Sequence, residues 1–204
     1  MERQILLTGF APFGGERVNP SWEVARLLDG REFGGATVAA MRLPVACRRA
    51  SRMIAEAIEA LRPAAVIGLG QAGGRPALAI EKVAINLADE RAARENTGGV
   101  RARPVAAGAP DGYFARLPID AIALALRRHG IPAEQSLSAG IYVCNTVMYT
   151  ALHTLRRRPR VPCGFIHLPY TAAQAVGHRA AASMTIELMA AGVETALGVI
   201  ARKL

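Results

Sequence analysis

Short apolar runs alternate with helix-spaced amphipathic segments along nearly the whole chain, and this alternation constrains the fold more than any other feature. "QILLTGF" (4–10) is an apolar run ending in glycine, "ATVAAMRLPV" (36–45) a second, and "AAVIGLG" (64–70) a third. Between them, "NPSWEVARLLDG" (19–30) predicts a helix with Asn19 as N-cap, Pro20 at the first helical position and Gly30 as terminator. "RRASRMIAEAIEALRP" (48–63) is a second helix, closed by Pro63. "PALAIEKVAINL" (76–87) alternates like one strand, "PIDAIALALRRHG" (118–130) is a helix, and "CGFIHLPY" (163–170) is a buried strand stopped by proline. Residues 91–112 have no period and are rich in Gly, Pro and Arg, as a loop is. From about Ala173 to the end the Ala-rich sequence predicts one long helical segment. Strands alternating with helices predict an α/β fold whose largely parallel sheet is covered on both faces, with reactive groups at the carboxyl ends of strands.

With 204 residues, no repeats and no linker, residues 1–204 are expected to form a single domain. The segment "MERQILLTGF" has no signal-peptide pattern, and no apolar run approaches a membrane span, so a cytoplasmic protein without membrane association is expected. Cys47, Cys144 and Cys163 lack C-x-x-C spacing, which argues against a zinc site or a disulfide framework. The formal net charge is +9, nearly all of it arginine, since Lys82 and Lys203 are the only lysines. The basic clusters "LRRHG", "LRRRPR" and "ARKL" fall at helix ends, where cations complement the helix dipole, and lack aromatic interleaving. A solvated surface is the better reading, and no nucleic-acid partner is expected.

The stretch "SAGIYVCNTVMYTALHTL" (138–155) carries the chemistry. An extended run, Ser138 to Val143, meets Cys144 and turns helical, with Cys144, Val147, Met148, Ala151 and Leu155 in one apolar stripe. Cysteine is among the most buried residue types, so packing alone explains many such residues. In the first helical turn, however, unpaired N–H groups lower a thiol's pKa and can hold an oxyanion. A base is then required. His129 sits beside its helix terminator. His153 lies about 13 Å along the same helix and on its far side. His178, near the start of the last helical segment, fits either a structural or a functional role, and His167 ends a buried strand where an α/β sheet presents its chemistry. Cys163 is about 13 Å from His167 on an extended strand, too far for a hydrogen bond, and Cys47 has no nearby histidine in sequence. Cys144 with His167 is the most economical pair. Glu81, on the same strand face as Val83, Ile85 and Leu87, is a carboxylate in an apolar setting; it pairs either with a structural arginine or with a histidine.

"GLGQAGG" contains Gly68, Gly70 and Gly73 in a G-x-G-x-x-G pattern, with Asp89 about twenty residues on. A dinucleotide site needs a helix to follow, whereas Arg75-Pro76 leads into a strand. The glycines are expected to allow a tight turn that brings Gln71 to a substrate.

Together, "LLTGFAPFGGERVNPSWE", "GLGQAGGRPALAIEKVAIN", "SAGIYVCNTVMY" and "GFIHLPY" resemble the signature segments of pyrrolidone carboxyl peptidases (pyroglutamyl peptidase type I), in order and with matching spacing. The resemblance implies a three-layer α/β/α sandwich and a cytosolic homotetramer that removes N-terminal pyroglutamyl residues from peptides, without metal or cofactor. It assigns Cys144 as nucleophile, His167 as general base and acid, and Glu81 as orienting carboxylate. Phe10 and Phe13 would flank the lactam ring, and Asn19 and Gln71 would belong to the polar network around it. Tyr142 and Val143 would line the pocket, and Arg91 would stand with the Cys144 N–H near the oxyanion. The chain departs from the family pattern after Arg91, where "AARENTGG" replaces an Ile-Pro-Asp-Asn-like stretch and puts Ala92 in place of an apolar pocket residue, and at "TAAQA" (171–175). Intact chemistry with weaker substrate binding is expected; the alternatives are a weak or inactive relative and a nucleotide-binding α/β protein.

Overall fold

In a computed structural model, residues 3–89, 102–178 and 181–204 are described. The order is β1 (Arg3–Phe10), α1 (Pro20–Leu27), β2 (Glu32–Phe33), β3 (Ala36–Leu43), α2 (Cys47–Leu61), β4 (Ala65–Gln71), β5 (Leu78–Glu81), β6 (Val83–Ile85) and β7 (Gly112–Phe114), then α3 (Ile119–Arg128), β8 (Ala133–Ser136), α4 (Val143–Thr154), β9 (Cys163–Leu168), α5 (Ala172–Ala175) and α6 (Ile186–Ala201). One sheet runs β2-β3-β1-β4-β9-β5-β8, and β6-β7 form a separate ribbon. Strands β3, β1, β4 and β9 are mutually parallel. β5 runs antiparallel to β9 and parallel to β8, and β2 is antiparallel to β3, so the sheet is mixed.

Strand alternation divides the core into two layers. Ile5, Leu7, Ile67, Leu69, Ile80 and Ile166 pack with α1, α3 and α6. Leu6, Phe10, Val66, Cys163 and Phe165 pack with α2 and α4 on the other face. This is the α/β/α layering the sequence led one to expect.

The first helix starts as predicted. Asn19 Oδ1 accepts from Ser21 N at 3.1 Å, and Pro20 occupies the first turn, where its missing N–H costs nothing. Ser21 Oγ in turn accepts from Phe10 N at 2.9 Å, so the cap ties α1 to the end of β1. Helix α2 ends on Arg62 in the left-handed region (φ 46°), immediately before Pro63.

Several sequence expectations are corrected. Residues 76–87 are not one strand: the chain leaves the main sheet at Lys82, whose N donates to Ser136 O at 2.7 Å and whose O accepts from Ala115 N at 2.9 Å. Glu81 therefore shares no face with Val83, Ile85 and Leu87; the alternation simply continues across a boundary between sheets. The run Ser138 to Val143 is not extended. It turns at Gly140 (φ 74°) into α4, after a strand that ended at Ser136. The segment after Ala173 is not one helix: α5 stops at Ala175, Tyr170 bridges Ser183, and Thr185 caps α6 by accepting from Leu188 N at 3.2 Å. Alanine content concealed that second start. Within 91–112, Gly112 opens β7, and residues 91–101 lie outside the described part.

Candidate active site

The sheet face under α4 is where the chemistry collects. Across the β4–β9 pair Gly70 stands opposite His167, so both present the same face. A Cβ on Gly70 would lie 2.9 Å from Cys144 Sγ and 2.8 Å from Phe165 Cε1, and one on Gly68 would lie 2.3 Å from Phe165 Cδ2. The thiol and the imidazole thus flank one bare glycine. Glycines 68 and 70 clear space for the Phe165 ring and the sulfur, while the turn that ends the motif falls at Gly74 (φ 84°). No helix follows; the chain passes into β5, which removes the geometry a dinucleotide needs.

Glu81 reaches this point from the antiparallel neighbour. Ala79 pairs with His167, which leaves Glu81 on the same face one diagonal step away, within reach of a long side chain. His167 Nδ1 lies 2.7 Å from Glu81 Oε1, with Glu81 0% and His167 5% exposed. A carboxylate only accepts, so the imidazole proton sits on Nδ1 and leaves the Nε2 lone pair open. Arg75 Nη1 also stands 3.6 Å from Oε1, so both partners considered for Glu81 are present.

Cys144 is the second residue of α4, inside the first turn. Burial nevertheless pushes its thiol up to about 12, with the charges of Glu81 and Cys47 adding and its own backbone N–H opposing. The expected lowering by the helix start is overridden: desolvation of a thiolate outweighs the partial charge of one helix terminus. A thiol raised in this way attacks most readily when a base takes its proton.

A small cavity of about 40 Å³ opens beside the sulfur, lined by Phe10, Phe13, Asn19, Val45, Gln71, Tyr142, Val143 and Cys144. That space suits a few waters or one small ring. Every described pocket residue named from the sequence lies on this wall. Asn19 uses its amide for support, Nδ2 donating to Ala11 O at 3.1 Å. Arg91 and Ala92 lie outside the described residues.

Sequence reasoning missed Val45, Asn145 and Gln174. Asn145, fully buried, accepts from Ile85 N at 2.9 Å and donates to Ile85 O at 2.9 Å and Leu87 O at 2.8 Å, which pins the first turn of α4 to β6. An amide directly after the cysteine, on a helix whose first turn is buried, was the available signal. The other histidines are occupied elsewhere. His153 Nδ1 bonds the Tyr113 hydroxyl at 2.8 Å and its basicity is lowered by burial; His129 caps α3. His178 stacks on Tyr170 and pairs with Glu16 at 2.8 Å, bracing the loop that carries Phe13. Cys47 and Cys163 are buried, 4% and 0% exposed.

A mixed α/β/α sandwich with a partly buried cysteine, a carboxylate-bound histidine and a small apolar cavity defines a hydrolase-like architecture. The comparisons narrow it. A family profile described as pyroglutamyl peptidase matches residues 3–203, and the chain belongs to that family. The pyrrolidone-carboxylate peptidase of Klebsiella pneumoniae is 45% identical over 199 residues, covering 98% of this chain and 93% of that protein. That of Chromobacterium violaceum is 48% identical, covering 96% and 91%. Among solved structures, pyroglutamyl peptidase I from Bacillus amyloliquefaciens superposes with a TM-score of 0.89 at 36% identity, covering 98% of this chain and 96% of its own. A variant of the pyrrolidone carboxyl peptidase from Pyrococcus furiosus gives 0.89 at 37%, covering 98% and 99%.

Proposed function

We propose that this chain is a cysteine peptidase that removes N-terminal pyroglutamyl residues from peptides through a Cys144–His167–Glu81 triad and a thioester acyl-enzyme. The observation that carries the reading is the single face on which a thiol and a Glu81-bound imidazole flank Gly70 at the edge of an apolar cavity. The Cys144 thiol passes its proton to His167 Nε2 as sulfur attacks the pyroglutamyl carbonyl. The oxyanion is held by the Cys144 N–H and Arg91. As the C–N bond breaks, His167 returns that proton to the leaving amine. It then takes a proton from water, whose oxygen attacks the thioester; pyroglutamate leaves and the sulfur regains a proton. Glu81 holds the imidazole tautomer and stabilises the transient imidazolium.

Specificity follows from the cavity wall. Phe10, Phe13, Val45 and Val143 give it apolar character, and no described lining residue is acidic. An N-terminal glutamine or glutamate brings an ammonium group that finds no counter-charge there, whereas a closed lactam brings none. We further propose a cytoplasmic homotetramer, on the family resemblance; among the described residues no helix is long and apolar enough to cross a membrane.

Amine release from a pyroglutamyl amide and from a prolyl amide, by wild type and Cys144→Ala, tests the reading. Activity is expected on the first substrate alone and is expected to vanish in the variant. A folded wild type inactive on both would overturn it, and the divergent loop after Arg91 would then mark an inactive relative.

A further inference from the structure

We propose that Gln174 is a positioning residue that sets the hydrogen-bond polarity of the cavity by fixing the orientation of the Gln71 carboxamide, so that Gln71 presents its NH2 as a donor to a ligand carbonyl. An amide side chain ordinarily leaves its O and N to be assigned from its surroundings. Here backbone atoms decide. Gln174 Oε1 lies 3.0 Å from Thr171 N, and a backbone N–H can only donate, so that atom is the oxygen. Gln174 Nε2 is then the donor, and it lies 3.3 Å from Val18 O, which can only accept. The same Nε2 lies 3.0 Å from Gln71, so the atom of Gln71 that meets it is the acceptor Oε1. The NH2 of Gln71 is what remains for the cavity that this residue lines.

The relay is built to hold. Gln174 is 4% exposed and Thr171 8%, and the two close a reciprocal cap at the start of α5, with Gln174 N donating to Thr171 Oγ1 at 3.3 Å. Its bond to Val18 also fastens the end of the loop that carries Phe13. Reversing the Gln71 amide would set its NH2 against the Gln174 NH2, two donors with no acceptor between them.

The ligand class that a donor at Gln71 selects is a neutral ring bearing a carbonyl acceptor. This part rests on the pyroglutamyl reading, whose lactam carries such a carbonyl; the orientation of Gln71 does not depend on it. The test uses KM and kcat on a pyroglutamyl amide and Ki for 2-pyrrolidone, the lactam ring alone. The variants are Gln174→Met, Gln174→Glu, Gln71→Met and the two double variants. Gln174→Glu keeps an acceptor for Thr171 N and removes the donor to Gln71, and it serves where Gln174→Met does not fold.

Either Gln174 substitution is expected to raise KM and Ki roughly 3- to 10-fold, the worth of one neutral hydrogen bond, while kcat stays within about twofold. In the Gln71→Met background the same substitutions are expected to add nothing, because Gln174 acts through Gln71. An equal effect in both backgrounds, or a fall in kcat at constant KM, would overturn the proposal and leave Gln174 a structural residue. Failure of wild type to cleave the amide would instead overturn the peptidase reading, with the coupling still read from 2-pyrrolidone binding. Failure of wild type to bind the ring would overturn the ligand class assigned to the Gln71 donor.

Discussion

At the scale of single residues, the site depends as much on what is missing as on what is present. Cys144 can approach the sheet because Gly70 has no side chain, and His167 can face it because the next strand carries the imidazole at the same level. Gly70→Ala would put a methyl group 2.9 Å from the sulfur and 2.8 Å from Phe165, and neither can retreat into a packed core without moving its neighbours. Displacing a nucleophile by about an ångström costs on the order of 100-fold in turnover. That loss is the expected outcome for Gly70→Ala, measured as kcat on a pyroglutamyl amide with circular dichroism as the check on folding. A fold-competent variant with wild-type kcat would mean that the thiol does not work from this position. Sequence reasoning singled out Cys144, His167 and Glu81 because each residue type was unusual where it stood. It misjudged the thiol's acidity, because the burial that governs it comes from α2 and β9, far away in the chain.

At the scale of elements, local signals were legible where the chain itself supplies them. The Asn19 cap with Pro20 behind it and the Pro63 stop mark their helices correctly, because caps and prolines act within a few residues. What the sequence could not display was the direction of β5. Its antiparallel run against β9 brings Glu81 to His167 from the opposite side, so Glu81 does not join the others at a shared carboxyl edge. The break at Lys82 was hidden for a related reason. β5 and β6 each alternate, and only the pairing partners, Ser136 for one side and Ala115 for the other, reveal two sheets. Cavity-wall residues were found through the family resemblance, whereas nothing local ties Val45, at the end of an apolar run, or Gln174, in a T-x-x-Q cap, to the cavity. Their roles arise from neighbours distant in sequence.

At the scale of the whole molecule, two of the arginine clusters sit where helices end. Arg127 and Arg128 occupy the last turn of α3, and Arg156 and Arg157 follow α4, favourable places for cations beside the negative ends of helix dipoles. Guanidinium groups keep their charge in alkali, so buried thiols stand out among the groups that titrate there. Cys144 and Cys163 are both pushed from 9.0 to about 12 by burial. The unfolded chain therefore releases these protons first, and the folded state binds more protons across that interval. Their contribution is fully present below about pH 9 and is lost as pH rises toward about 12. Urea unfolding at a series of pH values is expected to show stability falling above about pH 9, and Cys163→Ala is expected to flatten that fall. Identical slopes for wild type and variant would show that the buried thiol is not the source.

The central claim is that Cys144 sulfur becomes acylated by a pyroglutamyl group. The most direct measurement is peptide mass mapping of the wild-type protein, acid-quenched within the first turnovers of an activated pyroglutamyl aryl ester, whose leaving group needs no proton, so that acylation outruns hydrolysis of the thioester. A pyroglutamyl adduct on the peptide containing Cys144, absent when Cys144 is replaced by alanine, is the predicted result. An adduct on Cys47 or Cys163, or ester turnover undiminished in the Cys144→Ala protein, would contradict the account.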